Sequence, residues 1–562
     1  MDRYLLYNFS GEIDDLSHLF PNERLAQLAA IIEAEKAEPC IWDRGNTRTL
    51  TALAPPRWKR CIAARAGKPL FEKLSRNQPI GRFDKLRYGL PLKWASDSMS
   101  SDIAQNYSRF MNEEAQRIAD GGFKAVLLNL WQGGFDECMQ LVMRLKQLSP
   151  TPVYAIGQRV DWFQEHILRH YPKLDGIIMG LGYETVRKLM RGEPFKSLPD
   201  VAWRNEQGEV ISNERTVTEV DRLPVPVYRS DVYDGIEDLI PLVHVSLSNQ
   251  ACPNQCAFCP RPANYGRKIR RKPVEHVVDE VEQLRNSGVR FFRIADSTPP
   301  PKQLTDFARG IVERGLHERG IHISAFSRVD RSGQEDYALM RKAGFESLFF
   351  GLESLDDEQL ARIRKGTTWE QMCQTLKAAK EAGFFVVGSI IYPLPQETVS
   401  SRETTFNRLK EASPWLDSVL IQPAGVYPIS AWGMEPETYG IRLDAGYIKK
   451  VMNYPVKFIV PMRFWPPFPF SYTLLGKPAE QVTFDDIRVA FESFSKRVWE
   501  ELDICNVQDY TLFVAQMLGD DPYAFTDHVK EVLVTRNYDA LQEIVASARR
   551  HLSENHRSGE TT

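Results

Sequence analysis

Twice along its length the chain alternates short apolar, β-branched runs with stretches of helical period, and that double alternation leaves few folds open. In the first block residues 3–9 read as a strand. Residues 21–37 read as a helix with Leu25, Leu28, Ala29, Ile31 and Ile32 on one face, and the run from Pro39 reads as a strand ending in Asp43-Arg44-Gly45-Asn46. From residue 47 to 108 Pro55-Pro56, Pro69 and Gly89 interrupt short helical pieces, read as an excursion over the ligand face of the domain. The pattern is then regular, with helices over 101–121, 135–148 and 162–171 and strands over 125–130, 152–157 and 176–179, before a last helix after Gly180-Leu-Gly182. The alternation restarts near residue 240, with strands at 244–247, 290–295, 322–327, 347–350, 385–391 and 418–422 separated by helices. Such strands pair in parallel through right-handed crossovers. The expected class is α/β: a doubly wound parallel sheet over 1–190, a proline-broken linker over 191–237 and a partial (β/α)6 barrel over 238–440. A mainly helical region over 441–552 and a polar, disordered tail over 553–562 complete it.

In both kinds of sheet, ligands gather beyond the carboxyl ends of the strands. In the second block that is where Cys252, Cys256 and Cys259 stand, spaced C-x3-C-x2-C in a loop that leaves the first strand. Three thiolates from one loop can hold three corners of a cubane iron–sulfur cluster and leave the fourth iron open. Zinc sites normally take four N/S ligands, and no further Cys or His pair stands near; His276 is alone on a helix. Eight cysteines in 562 residues are too sparse for a disulfide framework. Inert thiols are the bland alternative, and they are the reading for the scattered Cys40, Cys61, Cys138, Cys373 and Cys505, taken as small buried apolar groups.

The cysteine spacing, with Phe258 just before the third cysteine, resembles the signature of the radical S-adenosylmethionine superfamily. Gly351-Leu-Glu353-Ser354, followed by Leu360, Ile363, Lys365 and Gly366, resembles a further stretch of that family. The turn Tyr392-Pro393-Leu394-Pro395-Gln396-Glu397-Thr398 departs from the relatives' turn at two glycine positions, Pro393 and Gln396. The resemblance implies a [4Fe-4S] cluster on the three cysteines and S-adenosylmethionine contacts at Phe258, Asp296, Ser297, Ser327, Arg328, Glu353, Gly388 and Ser389. Arg328 is read either as a two-pronged clamp on a carboxylate or as an ordinary salt bridge. The first block is similar to the cobalamin-binding domain that precedes the radical domain in one class of these enzymes. That likeness implies cobalamin contacts at Gly157, Gln158, Gly180, Gly182 and Glu184, although the Asp-x-His-x-x-Gly sequence that supplies a lower cobalt ligand in some cobalamin proteins is absent.

Composition narrows the partners. A formal net charge of −3 gives no electrostatic case for nucleic acid. The start, Met-Asp-Arg-Tyr-Leu-Leu-Tyr-Asn-Phe-Ser, has no long apolar core, so neither a signal peptide nor a membrane partner is expected, and the expected location is cytoplasmic. The resemblance implies a cobalamin-dependent C-methyltransferase. In that class one S-adenosylmethionine methylates the corrin, a second is reductively cleaved by electrons from a flavodoxin- or ferredoxin-type donor, and methyl passes to a small-molecule or peptide carbon. The missing lower histidine and the aromatic segment Phe464–Tyr472, with Tyr427 and Trp432, extend the substrate range to tryptophan-like compounds. Oxidation, cyclisation or rearrangement on the same two cofactors is the alternative enzyme, and an iron–sulfur or cobalamin sensor the alternative outside catalysis.

Overall fold

In the computed structural model the described residues are 1–558 without 76–79, 131–132, 297, 301, 332, 334 and 455–460. The first block forms a sheet of β1 (Arg3–Phe9), β2 (Glu38–Asp43), β3 (Phe123–Leu130), β4 (Val153–Ile156) and β5 (Gly176–Ile178), continued by β6 (Val201–Arg204), β7 (Val210–Ser212) and β8 (Tyr233–Asp234). Their order is β7-β6-β5-β4-β3-β1-β2-β8. The five strands of the expected domain are all parallel and reverse their winding between β1 and β3, which is the doubly wound arrangement. The linker does more than connect. It adds β6 and β7 antiparallel at one edge and β8 at the other, so neither edge of the parallel core is left open.

The helix Glu23–Ala34 shows how local sequence seats these layers. Asn22 caps it by accepting from Leu25 N at 3.1 Å, and Leu25, Leu28, Ala29 and Ile32 lie buried against the sheet.

The irregular stretch differs most from expectation. The helix Arg57–Ser75 carries Pro69 within it. A second helical run, Arg82–Asp84, Lys85–Gly89 and Leu90–Asp120, begins nineteen residues before the expected start at 101. Only the distal part of Leu90–Asp120 packs on the sheet, through Ile103, Tyr107, Met111 and Ile118. The proximal part pairs with Arg57–Ser75 around a small core of Ala63, Ala95 and Met99.

The second block is a six-stranded parallel sheet, in the order β9 (Leu242–Val245), β10 (Phe291–Ile294), β11 (His322–Ser327), β12 (Phe345–Glu353), β13 (Phe385–Ile391) and β14 (Ser418–Gln422). Every neighbouring pair is parallel, as expected for the partial barrel. Alternate residues, among them Val243, Phe292, Ile323, Leu348 and Val386, face the helices and form the main core. The opposite set faces the barrel interior and is polar at one level: in register, His244, Arg293, Ser324 and Ser347 follow one another across β9 to β12.

The C-terminal region is helical as expected, with Phe484–Glu501, Asp509–Leu518, Pro522–Val534 and Tyr538–Ser558, plus a small antiparallel pair β15 (Ile441–Leu443) and β16 (Phe470–Tyr472). It is not a detached unit. Asp509 enters the floor of the barrel, where Arg293 Nε and Nη2 donate to its two oxygens at 2.7 and 2.8 Å. Arg549 donates to the carbonyl of Leu239, just past the linker, at 2.9 Å. The last helix continues past 553, where a disordered tail was expected, as far as Ser558.

Candidate functional site

The cysteine loop hangs from the end of β9 and is held on three sides. Asp296, fully buried just past β10, accepts from Leu247 N at 2.6 Å and from Ser248 Oγ, which fixes the strand exit; burial pushes its carboxyl up while these donors pull it down. Asp296 thus positions the loop. Cys252 N donates to Gly266 O at 3.1 Å and Ala257 N to Ile363 O at 2.8 Å, while Trp432 N donates to Ala257 O at 3.0 Å. Ile363 belongs to the second family-like stretch, so the two motifs recognised far apart in sequence meet through a backbone bond.

All three thiols are free. Cys252 is buried, with Sγ 3.1 Å from Thr298 Oγ1 and accepting from Asn254 Nδ2 at 3.4 Å. Burial pushes the Cys256 thiol up and Cys259 to about 11, with the charge of Cys252 adding to the first and those of Cys256 and Cys252 to the second. Lys365 and Arg328 pull Cys256 the other way. Among the described residues no three His, Cys, Asp or Glu side chains gather tightly enough for a single metal ion. A four-iron cube needs its thiolates set further apart than one ion does. Three free thiols in one loop, with the cations Lys365 and Arg328 acting on Cys256, therefore fit an anionic thiolate-held cluster.

Around this loop stand several of the expected S-adenosylmethionine contacts. Glu353, at φ +66°, accepts from Lys365 Nζ at 2.8 Å, and both are nearly buried. Gly351 makes room for the pair: a Cβ there would lie 2.5 Å from Glu353 Oε1 and 3.0 Å from Lys365 Nζ. The ammonium sits 5.9 Å from the centre of the Phe258 ring. Arg328 is no surface residue; it is nearly buried and grips Asp330 through Nε at 2.9 Å and Nη2 at 3.0 Å, so its fork is already engaged. Ser327 Oγ is buried with no hydrogen-bond partner among the described residues. Ser389 lies opposite Gly351 on the interior face, whereas Gly388 points away from it, where a Cβ would meet Leu352 and Leu416 at 2.8 and 3.2 Å. Gly388 is thus a packing glycine. Ser297 lies outside the described residues. Gln396, one of the two departures from the relatives' turn, adopts the left-handed conformation itself, at φ +63°.

The other expected set lies where the two sheets meet. Gly157, Gly180 and Gly182 all have positive φ, at 117°, 59° and 71°. Only Gly180 abuts the barrel domain, its Cβ position 3.3 Å from Asn264 O; Gly157 faces Asn129 and Leu130, and Gly182 faces Ile178. Gln158 Nε2 donates to Tyr265 OH at 3.2 Å, and Trp162 Nε1 to Asn264 Oδ1 at 3.1 Å, so the helix Gln158–His170 is tied to the short helix Arg261–Tyr265 that follows Cys259. Glu184 is half exposed in a first helical turn and pairs with Arg187 at 3.7 Å. Asp161, fully buried with its carboxyl raised to about 7 chiefly by burial, accepts from Gly180 N at 3.1 Å through both oxygens.

Among the described residues, buried guanidinium atoms with no hydrogen-bond partner stand at this seam: Arg24 Nε and Nη2, and Arg215 Nη1. Buried donors are nearly always satisfied. The amide and phosphate oxygens of a cobalamin would satisfy these, so the donor set fits that group. Beside them a cavity of about 310 Å³ runs from the barrel interior, at His244, Ser246 and Phe326, to Glu23, Arg24 and Leu181 of the first domain. Glu23, Arg24 and Lys272 carry no local motif and were not singled out in the sequence; only the fold brings them to one wall. Of the aromatics, Tyr427 meets Trp162 at 4.7 Å and Trp432 meets Phe258 at 5.9 Å, both pairs tilted, while Phe468 and Phe470 stack on each other. Of the scattered cysteines Cys138 is fully buried as expected, whereas Cys61 is exposed.

Comparison with known proteins bears on this arrangement. Residues 247–409 match the Radical SAM superfamily, so the barrel carries a radical SAM domain. An uncharacterized methyltransferase of Pyrococcus horikoshii is 28% identical over 265 residues, 45% of this chain and 57% of the relative. The anaerobic magnesium-protoporphyrin IX monomethyl ester cyclase of Cereibacter sphaeroides is 26% identical over 300 residues, 50% of this chain and 47% of the relative. The chain thus spans about half the length of these curated relatives. The radical S-adenosylmethionine methyltransferase TsrM of Kitasatospora setae, solved with cobalamin and a [4Fe-4S] cluster bound, superposes with a TM-score of 0.64 at 14% identity, covering 98% of this chain and 100% of that one. Sheet, barrel and C-terminal helices together therefore share one fold with that enzyme. Among the described residues no helix is long and apolar enough to cross a membrane.

Proposed function

We propose that the protein is a cobalamin-dependent radical S-adenosylmethionine enzyme that methylates carbon. The observation that carries this reading is the cysteine loop: three free thiols in one loop at the carboxyl ends of a parallel barrel, with the helix that follows Cys259 bonded to the doubly wound domain. Cys252, Cys256 and Cys259 would hold the cluster, with Phe258, Ser327, Arg328, Glu353 and Ser389 around the sulfonium substrate. Gln158, Gly180 and the unsatisfied guanidinium groups would hold the corrin. When bound, the cluster supplies the electron that cleaves the sulfonium and the corrin supplies a methyl carrier. The chain's own part is positional. Lys365, braced by Glu353, places a fixed cation beside Cys256, and the buried seam keeps water from the reacting groups.

A small-molecule or peptide substrate would enter the seam cavity, and a flavodoxin- or ferredoxin-type donor in the cytoplasm would supply the electron to the cluster. Glu23 is the one carboxylate among the cavity's lining residues, against Arg24, Arg261, Lys272 and Arg293, and this surplus of cations suits a substrate bearing an anionic group beside its apolar body. Anaerobic reconstitution with iron, sulfide and cobalamin tests the assignment. Charge-transfer and corrin absorption bands, and S-adenosylhomocysteine formed with substrate gaining one methyl mass, support it. 5′-Deoxyadenosine without methyl transfer favours the second reading, oxidation or cyclisation, to which the cyclase relative lends support.

Glu23 also carries a measurable pH signature. Burial raises its carboxyl from 4.5 to about 7, against the pull of Lys272 and a hydrogen bond with Ser246. Because the folded value lies above the unfolded one, the stabilisation from the protonated form is complete below pH 4.5 and is lost as pH rises through about 7. Glu23→Gln is neutral throughout. Thermal melts should therefore show the native protein losing stability relative to Glu23→Gln between pH 5 and pH 8, by on the order of 1–3 kcal/mol. Parallel profiles for the two proteins would refute a raised Glu23 carboxyl.

A further inference from the structure

The helical arm of Arg57–Ser75 and the run from Arg82 through the start of Leu90–Asp120 is the least conventional surface of the molecule. Phe83, Leu86, Leu90 and Trp94 recur at intervals of three and four residues along one continuous helical run, and are 68%, 65%, 58% and 51% exposed. Trp58, 55% exposed, extends the stripe from the neighbouring helix, its ring centre 6.0 Å from that of Trp94. Isolated exposed apolar side chains need no explanation, but a contiguous stripe of large ones marks a surface that is meant to be covered.

The charge is equally one-sided. Residues 57–95 hold eleven Lys and Arg against two carboxylates, in a chain whose formal net charge is −3. Arg57, Arg65, Lys68, Arg82, Lys85, Arg87 and Lys93 are exposed, and among the described residues none of them forms an ion pair. Arg87 sits over Phe83 at 5.8 Å, so cation and apolar stripe share one edge.

We propose that this arm docks the protein on an anionic lipid bilayer. Aromatic and leucine side chains along one side of a helix, edged by cations, enter the boundary between headgroups and acyl chains while the cations meet lipid phosphates. Nucleic acid would satisfy the cations and leave Leu86 and Leu90 in water. An acidic protein would satisfy the charge and would need its own apolar groove to take a protruding stripe, whereas a bilayer supplies both in any lateral position. The expectation of no membrane partner rested on the lack of a spanning segment, and a helix lying in the interface does not need one.

Vesicle co-sedimentation of the full chain, reconstituted anaerobically, tests this. Vesicles of phosphatidylcholine with about 30% phosphatidylglycerol should bind the protein roughly tenfold better than phosphatidylcholine alone, and binding should weaken as salt rises from about 0.1 to about 0.5 M. The pair Lys85→Glu and Arg87→Glu, and separately the pair Leu86→Ser and Leu90→Ser, should each reduce binding about tenfold. All four side chains are solvent-facing, so melting temperature and S-adenosylmethionine cleavage should be unchanged. No sedimentation with anionic vesicles, or full sedimentation of either pair of variants, overturns the proposal. So does capture by DNA or by an acidic flavodoxin without vesicle binding.

Discussion

Cys256→Ala should reduce bound iron from about four per chain to a trace and abolish S-adenosylmethionine cleavage, while leaving the fold intact. The contrast follows from the setting of the thiol. Cys256 is partly exposed, and the loop around it is fixed by backbone bonds at Cys252, Ala257 and Cys259 that an alanine does not touch. Truncation removes no packed core atom, so the melting temperature of the unloaded protein should move by no more than about 2 °C. What is lost is one of only three cluster ligands. Cys61→Ala is the matched control: Cys61 is exposed and outside the loop, and its loss should leave iron content and cleavage unaltered. Iron and sulfide assays, electron paramagnetic resonance of the reduced protein, and chromatography for 5′-deoxyadenosine read the result. A Cys256→Ala protein that kept a four-iron signal would remove the cysteine loop from the site and the proposed function with it.

The loop was legible because its chemistry is local: three cysteines within eight residues, after an apolar run, at a place where parallel sheets bind ligands. The parallel strands were equally visible, since burial on both faces makes them continuous apolar runs. The arm over 57–100 was not. It protrudes, so its apolar residues do not mark a face turned to the core, and Pro69 and Gly89 read as breaks although the helices run through them. Gly388, singled out by motif, has a packing reason that no motif shows, since a side chain there would meet Leu352 and Leu416. Gln396 shows that a glycine-like backbone does not require glycine when the chain on either side holds it, here through Gln396 N to Thr473 O at 2.7 Å. The wall of Glu23, Arg24 and Lys272 and the floor of Arg293 and Asp509 join residues hundreds of positions apart, and no local pattern encodes either.

That floor supports the second large effect. Asp509→Ala should destabilise the barrel by about 3–5 kcal/mol, because it strands a guanidinium in the interior. Arg293 is enclosed by Phe326 at 4.6 Å and Tyr510 at 5.0 Å, leaving Asp509 as its charge partner, with Ser324 Oγ donating to the same carboxylate at 3.0 Å. The pair gains little over a well-packed apolar substitute, so its value lies in what it prevents. The Asp509 side chain can close the barrel only with Arg293 opposite, which fixes where the helix Asp509–Leu518 docks and keeps the polar row of His244, Arg293 and Ser324 in register. The double substitution Arg293→Met with Asp509→Leu should accordingly recover most of the loss, whereas each single change should not. Denaturant unfolding of the three variants decides between this and a pair of independent contributions. Single losses below about 1 kcal/mol, or a double variant as unstable as the sum of the singles, would show that the C-terminal helices are placed by packing alone.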